Sequence, residues 1–157
     1  MARKLHIDSL DKRILTLLLK DVRIPFVEVA RQCNVTGSAI HQRVQKLIEN
    51  EIIDKKTYKV NPKALGYLTL AYVGMQINLV KQRTHQEVFN HISSIPEVVE
   101  CHNITGKYSF LLKIYAQSNE HLKSLLVDKL QSVVEVVATE TFISLEEGFS
   151  RNLPIEN

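Results

Sequence analysis

The apolar residues of this chain change period once, and that change limits what it can fold into. Up to residue 48 they recur at spacings of three and four: Ile7, Leu10, Ile14, Leu17 and Leu18; then Phe26, Val29 and Ala30; then Ile40, Val44, Leu47 and Ile48. This is the repeat of amphipathic helices. From residue 68 onward, β-branched, aromatic and aliphatic residues fall in strand proportions. Phe110, Leu112, Ile114 and Ala116, for example, alternate with Leu111, Lys113 and Tyr115. A chain of 157 residues with one such switch reads as two small domains of different class.

Local signals place the boundaries of the first half. Asp8 is a plausible N-cap, with Asp11 in the first turn, where the helix dipole favours negative charge. Pro25 suits the first position of a second helix. Asn34 can take the left-handed conformation that closes it, and Thr36 can cap a third. Three short helices with a tight turn between the second and third make a helix-turn-helix. Ile52 to Val60 mixes apolar and charged residues and is expected to form a β-ribbon, or wing. The helix-turn-helix domain is therefore assigned to 1–61 and a linker to 62–67.

The second domain, 68–157, reads as strand, helix, strand, strand, helix, strand. The strands are expected at 68–79, 98–105, 110–116 and 134–145. Thr84 with Glu87 reads as a capping box, Pro96 as a helix stop and Ser118 as a helix cap. The order is that of the ferredoxin-like βαββαβ unit, an antiparallel sheet with both helices on one face. The other face carries aliphatic residues and is expected to meet a second chain. The fold class is thus α+β, a winged helix-turn-helix followed by a ferredoxin-like βαββαβ domain expected to form oligomers.

Charge is unevenly placed. Residues 1–60 carry 12 Lys and Arg against 7 Asp and Glu, whereas 61–157 carry 8 against 10. The positive excess sits with the helix-turn-helix, as expected of a partner for double-stranded DNA. On the third helix, Ser38, Gln42, Gln45 and Lys46 lie opposite the apolar stripe, with His41 and Arg43 at its borders. Thr36 and Ser38 suit phosphates or thymine edges, Gln42 suits adenine, and Arg43 or Lys46 suit guanine or a phosphate. Lys55 and Lys56 on the wing are expected to contact phosphates.

Other chemistry finds little support. Six histidines make no HExxH spacing, and no Gly-rich phosphate loop or nucleophile elbow occurs. Neither Cys33 nor Cys101 belongs to a CxxC pair. An enzyme, a metal site and a cofactor are therefore not expected. The apolar runs are too short for a membrane span and the N-terminus has no secretory pattern, so the expected location is the cytoplasm.

Taken together, several segments resemble the Lrp/AsnC, or feast/famine, family of transcriptional regulators over nearly the whole chain. They are Leu10-Asp11 with Ile14-Leu15, Glu28-Val29-Ala30, Val35-Thr36 with Arg43-Val44 and Leu47, Ile52-Ile53, Leu65-Gly66, Val98 with Glu100, Thr105-Gly106, and Thr139 with Thr141. Gly37 to His41, and Thr105 to Ser109 with Ala138 to Thr141, look most like the asparagine-sensing branch. The resemblance implies dimers formed through the sheets, four dimers closing into an octamer, and a free amino acid, asparagine first, bound between dimers near the turn. The effector residues would be Thr105, Gly106, Lys107, Tyr108 and Ser109, with Thr139 and Thr141 serving the amino group or side-chain amide. Lys107 and Ser109 depart from the family, many of whose members have acidic residues at this turn. The alternative is an architectural DNA-binding protein of the same fold with no effector. A sensor acting mainly through protein partners is a second rival.

Overall fold

The computed structural model describes residues 7–53, 60–78 and 85–155. The chain divides into two compact units. One holds the described residues before Val60 together with 149–155, and the other spans Val60–Gly148.

The first unit is built on α1 (Ser9–Lys20), α2 (Phe26–Cys33) and α3 (Gly37–Glu49). Each start and stop has a local cause. Asp8 accepts from the Asp11 N–H, and the Asp11 side chain accepts from the Asp8 N–H, a reciprocal cap on α1. Pro25 is the N-cap of α2, one position earlier than the sequence suggests, at φ −63° and ψ 138°. Asn34 closes α2 at φ 57° and ψ 44°, a left-handed conformation that Asn tolerates. Thr36 caps α3 by accepting from the Ala39 N–H at 3.3 Å. Ile14, Val29, Ala30, Ile40 and Val44 form the core. The terminal stretch returns to this unit, where Asn152 Nδ2 donates to the Leu19 carbonyl at 3.4 Å. Residues 149–155 thus leave the second domain to which the sequence assigns them.

Of the expected wing, Ile52 and Ile53 donate their N–H groups back to the Leu47 carbonyl and close α3. Residues 54–59, including Lys55 and Lys56, lie outside the described residues, as does Thr84 of the expected capping box.

The second unit carries β1 (Thr69–Ile77), α4 (His85–Ser93), β2 (Val98–Asn103), β3 (Phe110–Ala116), α5 (Asn119–Ser124, continued by a π-helical turn Leu125–Leu130) and β4 (Val136–Ile143). The sheet order is β2-β3-β1-β4, with every neighbouring pair antiparallel. This is the ferredoxin-like arrangement. Strand alternation sorts its two faces. Ala71, Val73 and Met75 of β1 and Phe110, Leu112, Ile114 and Ala116 of β3 are buried with Val88, Ile92, Leu122, Leu125 and Leu130 of the helices. The alternate residues Tyr72, Gly74 and Gln76, Leu111, Lys113 and Tyr115, and Ala138, Glu140 and Phe142 share the face opposite α4 and α5. We call this the open face.

Candidate DNA-reading helix and effector turn

Helix α3 separates its two jobs by angle. Ile40, Val44 and Leu47 are buried at 0–6% exposure, whereas Ser38, His41, Gln42, Gln45 and Lys46 are exposed. Thr36 sits at the helix start, its hydroxyl 3.1 Å from that of Ser38. The His41 ring stands edge-on to Phe26, with centroids 4.7 Å apart, which ties the start of α3 to α2. Gln45 donates to Glu49 at 3.0 Å. The Gln42 amide makes no side-chain hydrogen bond among the described residues and projects from the centre of the polar face.

Arg43 has a different place from the one its sequence position suggests. Its Nη1 donates to Asp8 Oδ2 at 2.6 Å and to Asp11 Oδ1 at 2.8 Å. The guanidinium therefore holds α3 to the capping box of α1. The Asp11 backbone N–H first, and Arg43 second, keep the Asp8 carboxyl below its ordinary value of 3.8. In α2, hydrogen bonds from Arg31 and then Gln32 lower the Glu28 carboxyl to about 2. Both shifts favour the charged carboxylate in the folded state. Their contribution is complete above the ordinary carboxylate value and is lost as pH falls through the lowered one. The helical unit should therefore lose stability on acidification from about pH 4.5 toward 2, modestly, because both pairs are solvent-screened. Arg43→Gln and Arg31→Gln should each flatten that dependence in thermal unfolding followed from pH 7 downward. An unchanged acid profile in both variants would count against these pairs.

The β2–β3 connection forms the second candidate site. The Ile104 N–H donates to the Ser109 carbonyl at 3.1 Å and closes the loop that holds Thr105, Gly106, Lys107 and Tyr108. Gly106 has φ 112°, where a side chain is strained, and a Cβ there would meet nothing within 4 Å. The turn is fastened to β1 by the Ser109 N–H, which donates to the Met75 carbonyl at 2.9 Å, and by Gln76 Nε2, which donates to the Lys107 carbonyl at 2.8 Å.

The turn meets β4 through a residue that sequence reading passed over. Lys107 Nζ and the Tyr108 hydroxyl both donate to Glu140 Oε2. The Tyr108 ring covers Gly74, where an added Cβ would come within 2.7 Å of ring atoms. Glu140 lies opposite Gly74 in the register, so its side chain shares the open face with that ring. Thr139 and Thr141 lie opposite Met75 and Val73, which are buried. Their side chains therefore project to the helix-covered side, and Thr139 Oγ1 accepts from Gln131 Nε2 at 2.8 Å. The structure thus brings Glu140, not the two threonines, to the turn. The alternating pattern of β4 shows two faces, but only pairing with β1 shows which one the helices cover.

A cavity of about 170 Å³ lies at the other end of β1, lined in part by Tyr67, Leu70, Tyr115 and Glu146. None of the expected effector residues lines it. Among the described residues no helix is long and apolar enough to cross a membrane.

Comparison with known proteins agrees with both halves. Residues 7–48 match the AsnC-type helix-turn-helix domain, and residues 70–153 match the Lrp/AsnC ligand binding domain. The chain is 34% identical to the regulatory protein AsnC of Haemophilus influenzae over 148 residues, covering 94% of this chain and 97% of that one. The structure of Escherichia coli AsnC superposes with a TM-score of 0.88 at 32% identity, covering 95% of this chain and 99% of that one. A transcriptional regulator of Neisseria meningitidis, solved as a complex with L-methionine, shares the fold at a TM-score of 0.87 and 22% identity, covering 95% and 97%. With the helix-turn-helix and the four-stranded sheet in place and both domain models matched in order, the chain belongs to the Lrp/AsnC family, whose members are transcriptional regulators and not enzymes.

Proposed function

We propose that this chain is a cytoplasmic, sequence-specific regulator whose occupancy of DNA responds to a free amino acid. The observation that carries the DNA half is the split of α3. One side is fixed by Ile40, Val44 and Leu47, and the other presents Ser38, Gln42, Gln45 and Lys46 to solvent. In this reading the first turns of α3 enter the major groove. Gln42 reads a base edge, while Thr36, Ser38, His41, Gln45 and Lys46 hold phosphates or neighbouring bases. Lys55 and Lys56 add phosphate contacts. Arg43 acts indirectly, by fixing α3 against α1.

Two copies pair through the open face, where Tyr72 and Phe142 are 38% and 48% exposed. The pair presents two recognition helices to successive major grooves about 34 Å apart, and four dimers close into an octamer. The effector sits at the turn 105–109. Asparagine is the first candidate, supported by likeness to two AsnC proteins. Methionine is the second, since the Neisseria regulator was solved with it. An amino acid changes assembly only if it binds one form better than another.

The test is a thermal-shift series with each free L-amino acid, followed by footprinting on a selected site. A ligand that binds only the folded state, at about 100 times its Kd, stabilises by roughly 2.7 kcal/mol. Asparagine should give the largest shift, and footprints should show spaced, ordered protection. Uniform coating of DNA with no shift from any amino acid would support the architectural alternative and sink this reading.

A further inference from the structure

We infer that Glu140 receives the ammonium group of the effector, and that this exchange releases Tyr108 from its place on the open face. The inference rests on the amino-acid reading of the turn and adds to it a named switch. Glu140 already holds two donors from the turn, the Lys107 ammonium and the Tyr108 hydroxyl. A free amino acid carries one ammonium and one carboxylate. It can therefore replace the internal pair charge for charge, with its ammonium on Glu140 and its carboxylate on the freed Lys107.

The exchange is energetically accessible. In the unpaired chain the Lys107 and Glu140 side chains are 64% and 45% exposed, and an ion pair so exposed contributes little to stability. The turn does not need that pair to keep its backbone, because Gln76 holds the Lys107 carbonyl and Met75 holds the Ser109 N–H. A ligand can thus open the pair without unfolding the loop. Glu140 also supplies from β4 an acidic group that the turn itself lacks at Lys107 and Ser109.

The consequence reaches the sheet. The Tyr108 ring rests in the space left by the missing side chain of Gly74, and its hydroxyl is anchored on Glu140. Lys107 and Tyr108 donate to the same oxygen, Oε2, so a ligand ammonium that takes Oε2 displaces both, and the surface beside Tyr72 and Phe142 changes. In the proposed function this face meets a second copy. Capture of the ligand and assembly then share one side chain. The pair Glu100–Lys113, on the same face, is an internal control. It joins a carboxylate and an ammonium at 2.9 Å, and the other ionic partner of Glu100 is His102 at 3.6 Å, on β2 rather than on the turn.

The experiment compares the full-length wild type with Glu140→Gln, Tyr108→Phe and the control Glu100→Gln. Each is titrated by calorimetry with L-asparagine, L-methionine and the N-acetyl form of each, and examined by sedimentation velocity with and without the free amino acids. Wild type and Glu100→Gln should bind a free amino acid and reject its N-acetyl form. Glu140→Gln should bind about tenfold more weakly or worse, as expected for loss of a charge-assisted contact. At ligand concentrations that saturate it, Tyr108→Phe should lose the ligand-dependent change in sedimentation. If Glu140→Gln binds as tightly as wild type, or if the N-acetyl form binds equally well, the inference is overturned while the amino-acid reading stands. If wild type binds neither free amino acid nor any other in the thermal-shift series, both fall together. Should Glu140→Gln fold poorly, Tyr108→Phe decides the matter: an unchanged sedimentation response in that variant also overturns the switch.

Discussion

Phe110→Ala should remove about 3–5 kcal/mol from the second unit, the range for deleting a fully buried aromatic side chain. Phe110 is 0% exposed and is the largest fully buried side chain in the chain's described residues. It lies opposite Met75 on one side and Asn103 on the other, and the His85 ring stands 4.6 Å from its own. It therefore joins the central strands to the start of α4, and no single neighbour can refill its volume. A typical domain holds only about 5–15 kcal/mol in reserve. The helical unit has its own core of Ile14, Val29, Ala30, Ile40 and Val44, none of which belongs to this cluster. Denaturant unfolding followed separately in each unit should show the sheet unit melting early and the helical unit little changed. A loss below about 1 kcal/mol, or an equal loss in both units, would mean that the core is not partitioned in this way. In the proposed function, a melted sheet also removes the pairing surface, so DNA affinity should fall although no DNA-facing residue has changed.

The second large effect is expected from Gln42→Ala. Gln42 is exposed and sits on the side of α3 opposite Ile40. Its replacement should change stability by less than about 0.5 kcal/mol, as for most surface positions. An amide paired with adenine is worth about 1–3 kcal/mol, and a dimer loses it twice, so operator affinity should drop by about 30-fold to 10⁴-fold. The measurement is the ratio of affinities for the selected operator and a scrambled duplex, taken at one salt concentration. That ratio should collapse while the salt slope stays as in wild type. Lys46→Ala should do the reverse, weakening both duplexes alike and lowering the slope, the signature of a phosphate contact. If Gln42→Ala preserves the ratio, another side chain on the helix reads the sequence.

Much of the fold was legible because its causes are local. The capping box at Asp8 and Asp11, the left-handed Asn34 and the hydroxyl cap at Thr36 all act within a few residues of the chain. The stripe Ile40, Val44 and Leu47 needs only the helical repeat to be recognised, and it is buried as that repeat requires. The alternation in β3 marked Phe110, Leu112, Ile114 and Ala116 as inward, which they are. The turn at Gly106 was also visible, since a glycine between two strand patterns favours a conformation with positive φ.

What was hidden depends on partners far along the chain. Arg43 looked like a DNA contact because it borders the polar face of α3, yet its partners lie 35 and 32 residues earlier. Glu140 was not singled out between the two threonines, because its partners lie 33 and 32 residues before it. Residues 149–155 read as the end of the second domain and return to the first.

The sequence by itself determined the two-part order, the helix boundaries, the strand succession and the family, since periodicity, caps and turns are set by neighbours within about one turn or one hairpin. Only the tertiary structure decided which face of β4 meets the turn and which helix end holds Arg43. A strand pattern is the same read from either side, and a shift of one residue in pairing with β1 would exchange Glu140 for the threonines.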